Sequence, residues 1–277
     1  MGELDAIQRA SSPRTRESLA RDLRRLGVAP GMTLLVHSSL SSLGWVCGGA
    51  VAVIQALMDA ITPGGTLVMP AHSGDCSDPA NWGNPPVPEA WWQPIRDTMP
   101  AFDPLRTPTR GMGRIADLFR SWPEVLRSSH PALSFAAWGA HAETIVACHS
   151  LNHSLGEQSP LARIYDLDGR ILLLGVGYDS NTSFHLAEYR VPGPEHLVAG
   201  APILEGGRRL WKSYTDIVFD VESFPAIGEA FERAGKVRVG KVGSAEARLF
   251  SQREAVDFAE RWIGIRRAGG VPPDAGV

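Results

Sequence analysis

The residues best suited to chemistry are His185-Leu186-Ala187-Glu188. On a helix, positions i and i+3 share a face, so an imidazole and a carboxylate at this spacing lie side by side or address one pocket. A carboxylate beside a histidine fixes its tautomer and favours proton uptake, the requirement for a general base. The pair follows Arg170–Val176, the clearest buried-strand run in the chain, and a turn-rich stretch, Gly177–Thr182. It therefore opens a helix at the carboxyl end of a strand, where open α/β sheets place ligands. A solvated His–Glu pair with no task is the competing reading of an isolated HxxE.

Two other segments could hold a ligand. His37-Ser38-Ser39 ends an apolar run, and its hydroxyls can cap the next turn or hydrogen-bond a phosphate or an amide. Gly44, Gly48 and Gly49 would let that ligand approach the backbone. Thr107-Pro108-Thr109-Arg110-Gly111-Met112-Gly113 precedes a predicted helix, whose first N–H groups, with the hydroxyls and Arg110, suit an anion. Gly175-Val176-Gly177-Tyr178-Asp179-Ser180 imitates a dinucleotide fingerprint but has Ser180 at the third glycine, so a nicotinamide site is not favoured. The eight histidines form no HExxH, and Cys47, Cys76 and Cys148 do not combine with them at zinc spacing, so no metal is expected. No GxSxG is present, which disfavours a serine hydrolase. Cys148 reads as core packing rather than a nucleophile. Asp75, Asp78, Glu157, Asp216 and Glu222 fall in predicted loops; each alone reads as solvated, but together with Glu188 they could make a cleft acidic enough for a polyamine.

The elements that must position these residues are legible in outline. Residues 15–26 carry Leu19, Leu23 and Leu26 on one helical stripe, closed by Gly27. A strand at Met32–Val36, a helix at 49–60 and a strand at Thr66–Met69 form a βαβ unit and predict parallel pairing. Residues 73–110 hold eight prolines with Trp82, Trp91 and Trp92 and read as a structured lid or cleft wall. Helices are expected at 112–121 and 140–148, an extended piece at Leu133–Ala136, and a helix from Ser183 to Tyr189. Gly206-Gly207 between two extended runs predicts a hairpin within Ile203–Tyr214. A strand at Lys236–Val242 and a closing helix at Ser251–Ile263 complete a single α/β domain over 1–277. The insertion at 73–110 would line the cleft.

Composition narrows the function. With 277 residues, 44% hydrophobic, the chain is an ordinary globular protein rather than a disordered one. A formal net charge of −3 offers no basic excess for a phosphate backbone, so nucleic acid is not an expected partner. No run approaches about 18 apolar residues, so no membrane span is expected. An odd count of three cysteines and an N-terminus without an apolar run point to the cytoplasm.

Taken together, several stretches resemble the aminoglycoside 3-N-acetyltransferase family. They are His37-Ser38-Ser39-Leu40, GGTLVMP at 64–70, FDPLRTPTRGMG at 102–113, RSSHP at 127–131, GEQSPL at 156–161 and ILLLGVGYDSNTSFHLAEY at 171–189. The similarity runs in one order over about residues 15–265. It implies a central mixed, largely parallel sheet flanked by helices, unlike the common acetyltransferase fold. It implies acetyl-coenzyme A as cosubstrate and a deoxystreptamine aminoglycoside as acceptor. It places His185 and Glu188 in the catalytic centre. His37, Ser38, Ser39 and Leu40, with Thr107, Thr109, Arg110, Gly111, Met112 and Gly113, would line the coenzyme groove. Asp75 and Asp216 lie where relatives make acidic contacts to the aminoglycoside, and Glu157 is grouped with them. In this scheme His185, held by Glu188, deprotonates the 3-amine for direct attack on the thioester, and N–H groups near His37–Leu40 meet the oxyanion. The alternatives are acyl transfer to a different amine and a non-catalytic binder of coenzyme A or a cationic ligand.

Overall fold

The computed structural model describes residues 7–8, 12–62 and 64–272. Helix α1 (Arg16–Leu26) starts at Thr15, whose side chain and that of Ser18 cap each other's backbone N–H reciprocally. It stops at Gly27, which adopts the left-handed conformation (φ 113°) that side-chain-bearing residues resist. Strand β1 (Thr33–Ser38), helix α2 (Gly49–Ile61) and strand β2 (Thr66–Pro70) follow, and β1 and β2 pair in parallel as predicted. Strand β5 (Arg170–Leu174) pairs in parallel with the other edge of β1. These three strands are the parallel heart of the sheet.

The flanks are antiparallel. The two-residue β3 (Leu126–Arg127) pairs with β4 (Phe135–Gly139), which pairs with β2. On the far side β9 (Ala245–Ser251) pairs with β5, and β8 (Arg238–Val242) with β9. The order is β3-β4-β2-β1-β5-β9-β8, a mixed sheet.

Side-chain alternation along the strands divides two cores. Leu34, Val36, Leu67, Met69, Leu172 and Leu174 meet α1, α2 and α4 (Gly113–Phe119) on one face. Leu35, Val68, Ile171 and Leu173 face the opposite layer. That layer holds α5 (Ala142–Val146), α6 (Pro160–Asp166), α7 (Ser183–Arg190), α8 (Phe224–Arg233) and α9 (Gln252–Arg267). The result is an α/β/α sandwich. Among the described residues no helix is long and apolar enough to cross a membrane.

Residues 73–110 contain short 3-10 turns and the helix α3 (Trp92–Thr98). They pack against a hairpin of β6 (His196–Glu205) and β7 (Arg208–Ile217), longer than the sequence suggested, whose turn uses Gly206 and Gly207 at positive φ. Phe102 N–H donates to the Pro202 carbonyl at 3.0 Å, and Arg209 Nε to that of Met99 at 2.7 Å. Arg127 braces the same segment by donating to the carbonyls of Thr107 and Ala71. Helices α6 and α8 and strand β9 are elements that the sequence reading did not anticipate.

Candidate active site

The carboxyl ends of β1 and β2 and the loop after β5 open onto a cleft of about 790 Å³. Its lining runs through Val36–Ser41, Gly44–Val46, Gly49, Pro70, Gly111–Arg114, Ala116 and Val176, then Asp179, Ser180 and Thr182. His37, Ser38, Ser39, Leu40, Gly111, Met112 and Gly113 thus line one space, as the sequence suggested. Thr107, Thr109 and Arg110 lie outside it. The Thr107 hydroxyl accepts the Asp103 N–H, Thr109 donates to Asp117, and Arg110 pairs with Asp75. Pro70 and Gly111, on either side of the 73–110 segment, are both on its wall.

Thr182 precedes the first residue of α7, and His185 and Glu188 follow on the buried face of that helix. Their side chains meet at 2.5 Å, His185 Nδ1 to Glu188 Oε2. The pair is withdrawn from water: His185 is 7% exposed and Glu188 1%. The second carboxylate oxygen accepts the backbone N–H of Asp220 at 2.7 Å. A buried carboxylate is costly unless hydrogen-bonded, and here both oxygens are. Phe219 and Phe224 pack on the imidazole with ring centroids 4.2 and 4.8 Å away. With Nδ1 on Glu188, Nε2 is the ring nitrogen that this carboxylate does not engage.

Further imidazoles surround the pair. His37, at the end of β1, stands 3.4 Å from the Thr182 hydroxyl. Burial, with the neighbouring His185 ring, pulls its pKa down to about 3. His72, just past β2, is lowered to about 3 by burial first and by the nearby histidines second. Its Nε2 is enclosed and has no hydrogen-bond partner among the described residues. His149 is engaged on both sides, by Ser128 at 2.9 Å and the Ser154 carbonyl at 2.6 Å.

The acidic candidates do not converge on open space. Asp75 is in the exposed ion pair with Arg110, and Glu157 pairs with Arg190 at 2.7 Å. Asp216, 5% exposed, accepts from Ser154 Oγ at 2.5 Å, from the Tyr189 hydroxyl and from the Ile217 N–H. Tyr189 lies one turn beyond His185, so this knot ties the hairpin to the helix that carries the pair. Asp220 and Phe219 carry no local motif, and the contacts of these two and of Tyr189 reach 27 to 34 positions along the chain. Cys148 is exposed at positive φ rather than packed in the core. Cys76 is buried, and burial raises its thiol to about 11, far from a reactive thiolate.

The cleft lies at the ends of parallel strands, and the buried imidazole–carboxylate pair follows within a turn or two of Thr182 on its wall. The aminoglycoside 3-N-acetyltransferase family model matches residues 35–264, and the chain belongs to that family and is an acetyltransferase. It is 56% identical over 258 residues to the aminoglycoside N(3')-acetyltransferase-like protein YokD of Bacillus subtilis, covering 93% of this chain and 95% of that one. The crystal structure of YokD superimposes with a TM-score of 0.95. Aminoglycoside N(3)-acetyltransferase VIII of Streptomyces fradiae is 37% identical, over 97% of this chain and 98% of its own. A structure of AAC-IIIb with CoASH, 32% identical, matches with a TM-score of 0.82 over 92% of this chain and 98% of that one.

Proposed function

We propose that this acetyltransferase moves the acetyl group of acetyl-coenzyme A to the 3-amine of a deoxystreptamine aminoglycoside, with His185 as general base. The observation that carries the reading is the sealed 2.5 Å contact between His185 and Glu188, one turn beyond the cleft-lining Thr182. The cleft suits a pantetheine arm, which alternates amides with apolar links. Val36, Leu40, Val46, Met112 and Ala116 offer apolar wall, Ser38, Ser39 and Ser41 offer hydroxyls, and four glycines keep it open. The coenzyme bound to AAC-IIIb and the name of the Streptomyces relative support both substrates. We read the chain as one domain working in the cytoplasm, where its three thiols stay reduced.

When bound, acetyl-coenzyme A supplies the acetyl group as a thioester. Glu188 holds His185 Nδ1–H, so Nε2 presents a lone pair that removes a proton from the acceptor ammonium. The neutral nitrogen then attacks the carbonyl, the C–N bond forms and the C–S bond breaks; the departing thiolate takes the proton held on Nε2, and the new amide nitrogen gives its extra proton to solvent. Ser39 N–H is spent on the Leu174 carbonyl at 3.0 Å. The N–H groups of Leu40 and Ser41, at the open end of the 3-10 turn Leu40–Leu43, are better placed by position to meet charge on the carbonyl oxygen.

A second reading, transfer to a different amine, is favoured by the acidic residues. Asp75 and Glu157 are in ion pairs and Asp216 is turned inward, so none is poised as an open ammonium contact. A thiol-release panel with acetyl-coenzyme A decides between them. Release with deoxystreptamine aminoglycosides, and a product acetylated at N3, is the expected result. Release only with other amines would transfer the assignment to the second reading, and none with any amine would remove catalysis from both.

A further inference from the structure

Glu188 orients His185, and its own position has two supports. Its carboxylate accepts the Asp220 N–H, and its backbone carbonyl accepts Arg267 Nη1 at 3.2 Å. The same guanidinium nitrogen donates to the carbonyls of Val191 at 2.7 Å and Pro192 at 3.4 Å. These carbonyls close the C-terminal end of α7, where a cation complements both the open acceptors and the helix dipole. Arg267 is the last residue of α9, 79 positions downstream. Its neighbour Arg266 holds the other support: it contacts Ser223 Oγ and lies 3.4 Å from Asp220 Oδ2, while Ser223 also donates to Asp220.

Apolar packing joins the two helices through Leu186, Val191, Trp262 and Ile263. Beside it a cavity of about 230 Å³ opens among Glu188, Asp220, Ile227, Ile263 and the two arginines, and the arginine hydrogen bonds hold the Glu188 turn at its edge. The family model's match ends at residue 264, short of both arginines.

We propose that Arg267 is a positioning residue that holds the C-terminal turn of α7 and through it the Glu188 carboxylate on His185, with Arg266 steadying Asp220 on the other side. The inference rests on the assignment of His185 and Glu188 as the base and its partner. A small displacement of a catalytic group is costly in rate, and ground-state binding in the cleft is untouched.

The test is a double-mutant cycle read by thiol release, with Arg267→Met, Glu188→Gln, the pair combined, and Arg267→Lys. Arg267→Met is expected to lower kcat about tenfold with both KM values within about twofold. Lysine, whose ammonium also donates to carbonyls, is expected to recover most of that loss. Combined with Glu188→Gln, Arg267→Met is expected to add little, because it acts through the same carboxylate. Wild-type kcat in Arg267→Met, no advantage of lysine over methionine, or multiplicative losses in the double variant would each overturn the proposal. If Arg267→Met does not fold, Arg267→Gln carries the same cycle. A Glu188→Gln enzyme with wild-type kcat would instead refute the base assignment itself, whatever Arg267 does.

Discussion

Burial strips His37, His72, His130 and His149 of their charge, and each does so at a cost that depends on pH. His37 and His72 fall from 6.5 to about 3 and His149 to about 4, while His130 is also driven well below 6.5, all chiefly by burial. The unfolded chain takes up these protons near 6.5, the folded one only far lower. Between those values the unfolded state binds more protons, so folding stability rises with pH and drains away on acidification. Thermal melts should show Tm falling steadily as pH drops from about 6.5 toward 4, and a flat Tm between pH 7 and 5 would contradict this. His72→Phe should flatten part of the decline. It also removes a buried ring nitrogen that has no partner among the described residues, so at pH 7 its Tm should match or exceed wild type.

The loop after β5 that lines one side of the cleft depends on a helix, α8, none of whose residues is on the cleft wall. Tyr178 begins the 3-10 turn Tyr178–Ser180, and α8 lies against it at Gly228. A Cβ added at Gly228 would stand 1.9 Å from Tyr178 Cγ, so the ring would have to leave its place on this helix. The Tyr178 hydroxyl donates to Glu232 at 2.8 Å, and Arg248 pairs with the same carboxylate at 2.8 Å. The ring is therefore fixed at both ends. Gly228→Ala should cost about 1–3 kcal/mol, read by urea unfolding. It should also raise KM for acetyl-coenzyme A, because Asp179, Ser180 and Thr182 belong to the cleft wall. Wild-type values of both would show that the contact is softer than its geometry.

At the scale of the molecule, locally encoded features were the ones readable in the sequence. Thr15 and Gly27 bracket α1, apolar runs mark β1, β2 and β5, and Gly206-Gly207 turns the hairpin, each from residues within a few positions. Strand β9 pairs locally with β8 as well as with the distant β5, and the alternation of Glu246 and Arg248 with apolar residues is a strand signal that the prediction of a strand at Lys236–Val242 stopped short of. Helix α8 starts at Phe224-Pro225 and carries Gly228, residues that suggest a loop until Tyr178 is packed against them. The His185–Glu188 contact was legible because the two residues stand three positions apart on one helix. The supports at Asp220 and Arg267, and the inward turn of Asp216, were not, since distant contacts leave no periodic mark. Likewise Thr107, Thr109 and Arg110 share a stretch with the cleft-lining Gly111–Gly113 but are drawn off by Asp103, Asp117 and Asp75. The fold thus buries one imidazole–carboxylate pair just past the cleft wall at Thr182 and engages Asp75, Glu157 and Asp216 in contacts of their own. Steady-state acetyl transfer by His185→Ala, with folding checked by circular dichroism and coenzyme binding by calorimetry, tests that account most directly. It predicts kcat reduced about 10²–10⁴-fold with coenzyme affinity kept; a folded His185→Ala enzyme within a few-fold of wild-type kcat would contradict it.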